Sequence, residues 1–549
     1  MSASATVTEG ALGGKVTTAV WVVTRGRVIV AADEGAMLTN DPKRIVMPVQ
    51  RPRAERARMR LKTTRGAGNH WGSRAPLPLT TVSVRDAFDQ LTALTSPVAA
   101  VFADAGFSLY VVGGSVRDSL LAGLAGETAP SLADLDFTTD ARPDDIARVL
   151  APLCRATWDM GKAFGTIGGE LRDGGAKVEI TTFRSEDYDA DSRKPQVVFG
   201  DSLDVDLSRR DFTMNAMAFN PVNGQLIDPH RGFDDLVARV LRTPSDATIL
   251  FSDDPLRMLR AARFATRFSL TLDPAIEVAA TALAERLRIV SPERVRGELD
   301  LLLQTEHPTA GLDFIVRTGL ARHFLPELPA LALEQDPVHR HKDVLTHTYA
   351  VVERAKPDHL VVRLAALFHD IGKPRTRAFG ENGVTFHGHD HLGARMTRKR
   401  MEALQYSREM IDDVSKLVEL HLRFHTYAMG WSDAAVRRYV RDAGHLLEGL
   451  NELTRCDCTT RNKRKAVELD RRMDELEARI ERLREQEDMD AMRPALDGLE
   501  VMRLLEIKPS PVVGEALAFL LEIRLEEGEI DPGEASRRLK EWWLARPAT

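Results

Sequence analysis

Hydrophobic and polar positions change their period once along this chain. Between residues 99 and 183, short apolar runs are separated by turn-forming clusters. Residues 99–107 and 115–121 carry helical spacing, while 109–112 and 135–138 read as short strands. Residues 166–171 and 177–183 alternate apolar and polar side chains and are rich in β-branched residues, with Asp173-Gly174-Gly175 as the hairpin turn between them. After about residue 233 the strand signals fade. Residues 255–268, 274–287, 292–303 and 309–318 read as successive helices, several with Pro near the first turn, where its missing N–H costs no hydrogen bond. The remainder reads as helical almost throughout. Leu469, Met473, Leu476, Ile480 and Leu483 alternate spacings of four and three, the seam of a charged helix. Residues 509–514 interrupt the last helical region. The pattern predicts an α+β head, a small mixed sheet with helices, followed by an all-α remainder.

Two stretches break the pattern. Residues 1–80 are rich in Arg, Gly, Pro and Thr, with a basic run at 51–62, and read as a disordered basic leader. Residues 185–206 are polar and mixed in charge and read as a long mobile loop. A chain of 549 residues is long enough for several domains. Its net charge of -6 excludes a generally basic nucleic-acid coat but leaves room for a local basic groove. Three cysteines (Cys154, Cys456, Cys458) are too few for a disulfide framework and fit a reducing compartment. The apolar segments at 20–23 and 28–32 are split by Arg25 and Arg27, so neither is long enough to span a bilayer, and no secretory signal is expected. A cytoplasmic protein without a membrane partner is expected.

The candidate chemistry begins at Gly113-Gly114, between a strand and a helix, where backbone amides and the helix N-terminus favour anionic oxygens. Asp134 and Asp136 flank Leu135 at the start of the next strand, so both carboxylates leave one face and suit Mg²⁺. Taken alone, they could equally be a turn cap and a surface charge. Glu179 is a candidate third carboxylate, or an exposed strand residue. In Arg209-Arg210-Asp211-Phe212-Thr213-Met214-Asn215 the arginines could hold phosphates and Asn215 could meet a ribose hydroxyl; a solvated basic helix start reads the same way. Asp254 and Arg257 lie three apart at a helix start and share a face. Such a pair can imitate a complementary base. The carboxylate accepts from the amino group of C or A, the guanidinium donates to the adjacent ring nitrogen, and both contacts fail with U and G. A helix cap with an ordinary ion pair is the alternative.

A second constellation follows. His347, the dyad His369-Asp370 at the end of an apolar run, His389, His421 and Asp457, with His387 and His391 nearby, mix imidazoles and carboxylates as ligands for a divalent transition metal.

Together these motifs resemble the class II CCA-adding enzymes and their bacterial poly(A) polymerase relatives. The pattern GGxVRD…DxD is met by Gly113, Gly114, Val116, Arg117, Asp118, Asp134 and Asp136. RRDFTxNA is met at 209–216. DPxxGxxDL…LR is met by Asp228, Pro229, Gly232, Asp235, Leu236, Leu241 and Arg242. EDxxR is met at Asp254 and Arg257, with Asp253 in place of the usual Glu. SxER…EL is met by Ser291, Glu293, Arg294, Glu298 and Leu299. The ordered set covers roughly residues 98–330. The histidine set resembles HD-domain phosphohydrolases, and Arg493-Pro494-Ala495-Leu496-Asp497-Gly498 with Pro509-Ser510-Pro511 resembles the same family's tail.

The resemblance implies a polymerase-beta-like nucleotidyltransferase head at 98–235, a helical neck with the base-selection site at 236–330, an HD-type body at 335–465 and a tRNA-binding helical tail at 466–549. It implies addition of C, C and A to the tRNA 3′ end from CTP and ATP. Asp134 and Asp136 would hold Mg²⁺ with Glu179 beside them. Gly113, Gly114, Arg117, Arg210, Asp211 and Asn215 would bind the nucleotide, and Asp254 and Arg257 would read its base. His347, His369, Asp370, His389, His421 and Asp457 would hold a transition metal able to activate water against a phosphoester. Other readings stay open: a poly(A) polymerase, an enzyme adding only CC or only A, a phosphohydrolase whose head merely binds nucleotide, and a non-catalytic tRNA-binding protein.

Overall fold

A computed structural model describes residues 6–8, 18–24, 27–32, 84–125, 134–187, 196–200, 202–333, 343–380, 383–459, 463–486 and 493–546. It divides into two compact units. The first holds residues up to 257 with 268–279, and the second holds 258–267 with 280–549. No helix among the described residues is long and apolar enough to cross a membrane.

The first unit is built on a seven-stranded mixed sheet. Its order is Gln225–Ile227, Ala218–Asn220, Leu109–Val112, Asp134–Thr139, Lys177–Thr182, Thr166–Leu171, Cys154–Trp158. Asp134–Thr139 and Lys177–Thr182 run parallel, and the other neighbours are antiparallel. Leu135, Phe137, Val178 and Ile180 are all buried on one face, which leaves the opposite face to the acidic residues between them. The expected hairpin turn is present, with Gly174 and Gly175 both at positive φ.

Three expectations need correction. The first helix spans Val84–Asp104, running through Pro97 rather than starting after it. Burial of Leu91, Val98 and Phe102, with Phe88 stacked on Phe219 at 4.7 Å, offsets the roughly 3 kcal/mol a helix-interior proline costs. The expected loop at 185–206 is partly regular: Arg184–Asp187 pairs with Gln196–Phe199, and Leu203–Ser208 is helical. Within 1–80 the structure describes the strands Thr6–Thr8, Thr18–Thr24 and Arg27–Ala32, paired antiparallel, and the rest of the expected leader lies outside the described residues.

The linker motif is a buttress for the segment 209–216. Asp228 accepts from the amides of Gly232 and Phe233 at 2.7 and 2.9 Å, opening the helix Gly232–Ala238. Gly232 sits so close to the Thr213 carbonyl that a Cβ would overlap it. The Thr213 hydroxyl donates to Asp235 at 2.7 Å, and Asp235 also pairs with Arg242.

The second unit is helical. The motif at 291–299 lies in and before Pro292–Leu303, where buried Glu298 accepts from Arg263 at 2.6 Å. The helices Val344–Arg354, Leu360–Phe368, His389–Ala403, Arg408–Leu420 and Leu447–Asp457 follow. Arg363 is fully buried and donates to the carbonyls of Leu303, Thr305 and Ala355 at 2.6, 2.8 and 2.9 Å, so its charge is solvated by peptide dipoles. The charged helix Lys463–Gln486 buries Met473, Leu476, Ile480 and Leu483 of the seam read from sequence, while Leu469 is half-buried. The last three helices, Gly498–Leu505, Pro511–Glu527 and Pro532–Leu544, enclose their own core of Val501, Leu505, Ala516, Leu520, Ala535 and Leu539.

Candidate active sites

In the first unit, strand pairing assembles a carboxylate face. Asp136 and Glu179 are register partners on parallel neighbours, and Asp134 precedes Asp136 by one period. The glycine turn lies against them. Gly113 has φ 72°, where any side chain is strained, and a Cβ there would lie 3.6 Å from Asp136 Oδ2 and 3.8 Å from Arg210 Nη1. Burial raises the proton affinity of Asp136, Arg210 opposes the rise, and Glu179 and Asp134 add to it. Three oxygen-donor side chains on one face, one of them destabilised as an anion by its neighbours, fit a divalent cation.

Arg210 points toward this face from the segment after Leu203–Ser208. Its Nη2 donates to Asp206 Oδ2 at 3.0 Å. Its Nε is buried without a partner among the described residues, which suits an anionic oxygen arriving with a ligand. Arg117, Asp211 and Asn215 instead face one another. Arg117 is buried, donates to Asn215 Oδ1 and to Asp118, both at 2.7 Å, and lies 4.7 Å from the Phe268 ring centroid. Asn215 Nδ2 donates to Asp211 Oδ1 at 2.9 Å. These three predicted nucleotide ligands form a buried brace behind the glycine turn.

Asp254 lies between the helices Ala247–Asp253 and Leu256–Arg267 and accepts from the Leu256 amide at 3.1 Å, so the capping arrangement is present. Arg257 is buried, and it donates to the carbonyls of Leu250 and Arg209 at 3.2 and 2.8 Å. The expected base reader is therefore tied to the arginine segment. Sequence reasoning missed Asp206, which is fully buried and accepts from both Arg209 and Arg210. Burial pushes its carboxyl up, but the two guanidiniums outweigh burial and hold it below the usual range.

In the second unit all six expected metal ligands converge, as two triads: His347, His369, Asp457 and Asp370, His389, His421. The histidines are oriented by their other nitrogen. Nδ1 of His369, His389 and His421 each meets the carbonyl three residues earlier, at 2.8, 2.7 and 2.6 Å, and Nδ1 of His347 meets the Thr459 hydroxyl at 2.8 Å. A carbonyl only accepts, so for His369, His389 and His421 this assigns Nδ1–H and turns Nε2 toward the cluster. Among the described residues, Nε2 of His389 and of His421 is buried with no hydrogen-bond partner, and Nε2 of His369 and His347 face each other at 3.2 Å. Burial pushes His421 down to about 4, keeping it neutral at neutral pH. Imidazole nitrogens and carboxylate oxygens converging in this way fit a cation. Asp370 spans the two groups, with Oδ2 3.1 Å from His369 Nε2 and Oδ1 3.4 Å from His389 Nε2, while Lys373 donates to it at 2.7 Å. His387 and His391 are exposed and stand outside both triads. His425, overlooked in the sequence although it follows His421 by one helical turn, approaches Asp457 at 3.7 Å.

These features define a metal-dependent nucleotidyltransferase head and a separate body with an HD-type centre. Residues 109–242 match the poly A polymerase head domain, 269–331 a probable RNA- and SrmB-binding site of polymerase A, and 341–482 the HD domain. An A-adding tRNA nucleotidyltransferase of Deinococcus radiodurans is 37% identical over 356 residues, 62% of this chain and 80% of that enzyme. A CCA-adding enzyme of Levilactobacillus brevis is 40% identical over 228 residues, 41% of this chain and 54% of that enzyme, so the chain spans about half the length of that relative. A crystal structure of the Bacillus stearothermophilus CCA-adding enzyme in complex with CTP shares the fold, with TM-score 0.57, 23% identity, and coverage of 84% of this chain and 98% of that one. The chain belongs to the CCA-adding enzyme and poly(A) polymerase family, with an attached HD domain.

Proposed function

We propose that the chain adds C, C and A to the 3′ end of tRNA from CTP and ATP, without a template, releasing pyrophosphate. The observation that carries this reading is the union of Asp134, Asp136 and Glu179 on one face with Arg210 beside them and Arg257 bonded to Arg209. Asp134 and Asp136 hold Mg²⁺, with Glu179 as the third carboxylate; bound there, the ion lowers the barrier to attack by the tRNA hydroxyl and to pyrophosphate departure. Gly113 and Gly114 admit the triphosphate, and Arg210 binds it through the donor it has spare. Arg117 and Asp211 fix Asn215 and thereby the floor under the ribose. Asp254 and Arg257 select C and A. The HD centre binds a divalent transition metal through its two triads and hydrolyses a phosphoester, with Lys373 and His425 at its edge.

A narrower reading, addition of A alone to tRNA ending in CC, is favoured by one observation: the relative matched over 80% of its length is an A-adding enzyme. Transcripts ending before CCA, after CC and after CCA, each given one labelled nucleotide and Mg²⁺, separate the two. C addition to the first transcript supports the full reaction. A addition to the second alone supports the narrower one, and long A tails on all three indicate a poly(A) polymerase.

A further inference from the structure

The catalytic carboxylates and the base-reading arginine lie on different elements, and one buried side chain joins them. Asp206 is fully buried, and each of its oxygens is committed. Oδ1 accepts from Arg209 Nε and Nη2 at 3.1 and 2.7 Å. Oδ2 accepts from Arg210 Nη2 at 3.0 Å and from the Thr138 hydroxyl at 3.3 Å. Thr138 lies on the strand that carries Asp134 and Asp136, and its hydroxyl also reaches the Thr181 carbonyl on the strand that carries Glu179. On the other side, the Arg209 carbonyl accepts from Arg257 Nη2. Hydrogen bonds, joined through the covalent frame of Arg209, therefore link the strands of the carboxylate face, through Asp206, to the residue assigned to read the base.

We infer that Asp206 is a positioning residue that couples nucleotide selection to the catalytic face, setting Arg210 against the triphosphate and Arg209 beneath Arg257. This rests on the proposed nucleotidyl transfer and deepens it. The carboxylate is suited to the task because two guanidiniums converge on it in fixed directions, and a neutral amide of the same size would offer one acceptor oxygen instead of two and no charge. A purely structural carboxylate would serve stability alone. A coupling carboxylate also governs how well the site distinguishes C and A from U.

Steady-state incorporation of CTP, ATP and UTP is to be measured on tRNA transcripts by the full-length wild type and by Asp206→Asn, with thermal melting of both. Asp206→Asn keeps the shape and removes the charge. The expected result is a KM for CTP and ATP raised about tenfold, as for a lost supporting contact, together with a clear fall in the preference for CTP over UTP, in protein that melts cooperatively. A folded Asp206→Asn with wild-type KM and selectivity overturns the inference, as does a variant whose kcat falls with selectivity intact. Should Asp206→Asn not fold, Arg209→Gln opens the same clasp from its more accessible side. Loss of selectivity there supports the coupling, and wild-type selectivity overturns it. A wild type that incorporates no nucleotide overturns the underlying reading itself, a result distinct from an active wild type with an indifferent variant.

Discussion

Asp136 and Glu179 are direct partners on two parallel strands, and their side chains leave the sheet on the same face. Neighbouring carboxylates repel, so a fold that holds them together without a counter-ion is under electrostatic load that a divalent cation relieves. Arg210 supplies only part of the compensation.

The first prediction follows from that pair. Asp136→Ala abolishes incorporation with tRNA binding retained. Glu179→Gln lowers single-turnover incorporation roughly 10- to 100-fold, the range for loss of a supporting metal partner, and raises the Mg²⁺ concentration needed for half-maximal rate. A rate within twofold of wild type at every Mg²⁺ concentration assigns Glu179 to the surface.

Gly232 provides a test of the buttress. Its Cα hydrogen faces the Thr213 carbonyl, and a methyl there meets backbone that cannot turn aside. Gly232→Ala is expected to destabilise the head by about 1–3 kcal/mol, the usual cost of overpacking, and to lower activity by displacing the segment that holds Arg209 and Arg210. Thermal melting and incorporation kinetics on the same preparation check it; an unchanged melt with full activity rejects the close approach.

Under the proposed function the two candidate metal sites are separable. Exhaustive chelation is expected to remove both activities. Mg²⁺ alone then restores nucleotide addition, while phosphoester hydrolysis returns only with a transition metal. His421→Ala removes one buried lone pair from the second triad and lowers bound metal measured by elemental analysis, with nucleotide addition kept. Equal metal content in wild type and variant removes His421 from the ligand set.

Asp300, a member of neither candidate centre, gives a pH signature of its own. It accepts from the Tyr406 hydroxyl at 2.5 Å, and burial raises its pKa to about 6 against the opposing pull of the Tyr406 hydrogen bond and Arg296. A carboxyl raised above its unfolded value of 3.8 stabilises the fold fully below that value, and the contribution is lost as pH rises through about 6. Melting temperature should therefore carry a component that declines between pH 4 and 6, and Asp300→Asn should flatten it. A component rising over that interval, or one that survives the substitution, contradicts the assignment.

Much of this was readable before the fold was known, for physical reasons. Strand period places Asp134 and Asp136 on one face without tertiary information. Prolines at 274 and 292 mark helix starts because their chemistry is local. The clustering of the six histidines and aspartates was legible because few other roles suit so many histidines beside carboxylates. Asp206 was not legible. It stands in a polar stretch that reads as a loop, and its importance lies in partners at 138, 209 and 210 that only folding brings together. Arg117, Asp211 and Asn215 carried the right motif, yet sequence could not say that they bond to one another. The helix before residue 99 was hidden by Pro97, whose local cost is outweighed by contacts such as Phe88 on Phe219.

The central claim, template-free choice of C and A at a tRNA end, is tested most directly by sequencing the 3′ ends produced when wild-type protein, Mg²⁺ and all four nucleoside triphosphates act on a transcript lacking CCA. The account predicts ends that finish in CCA with nothing added beyond it. Ends carrying U or G, a long run of A, or no addition contradict it.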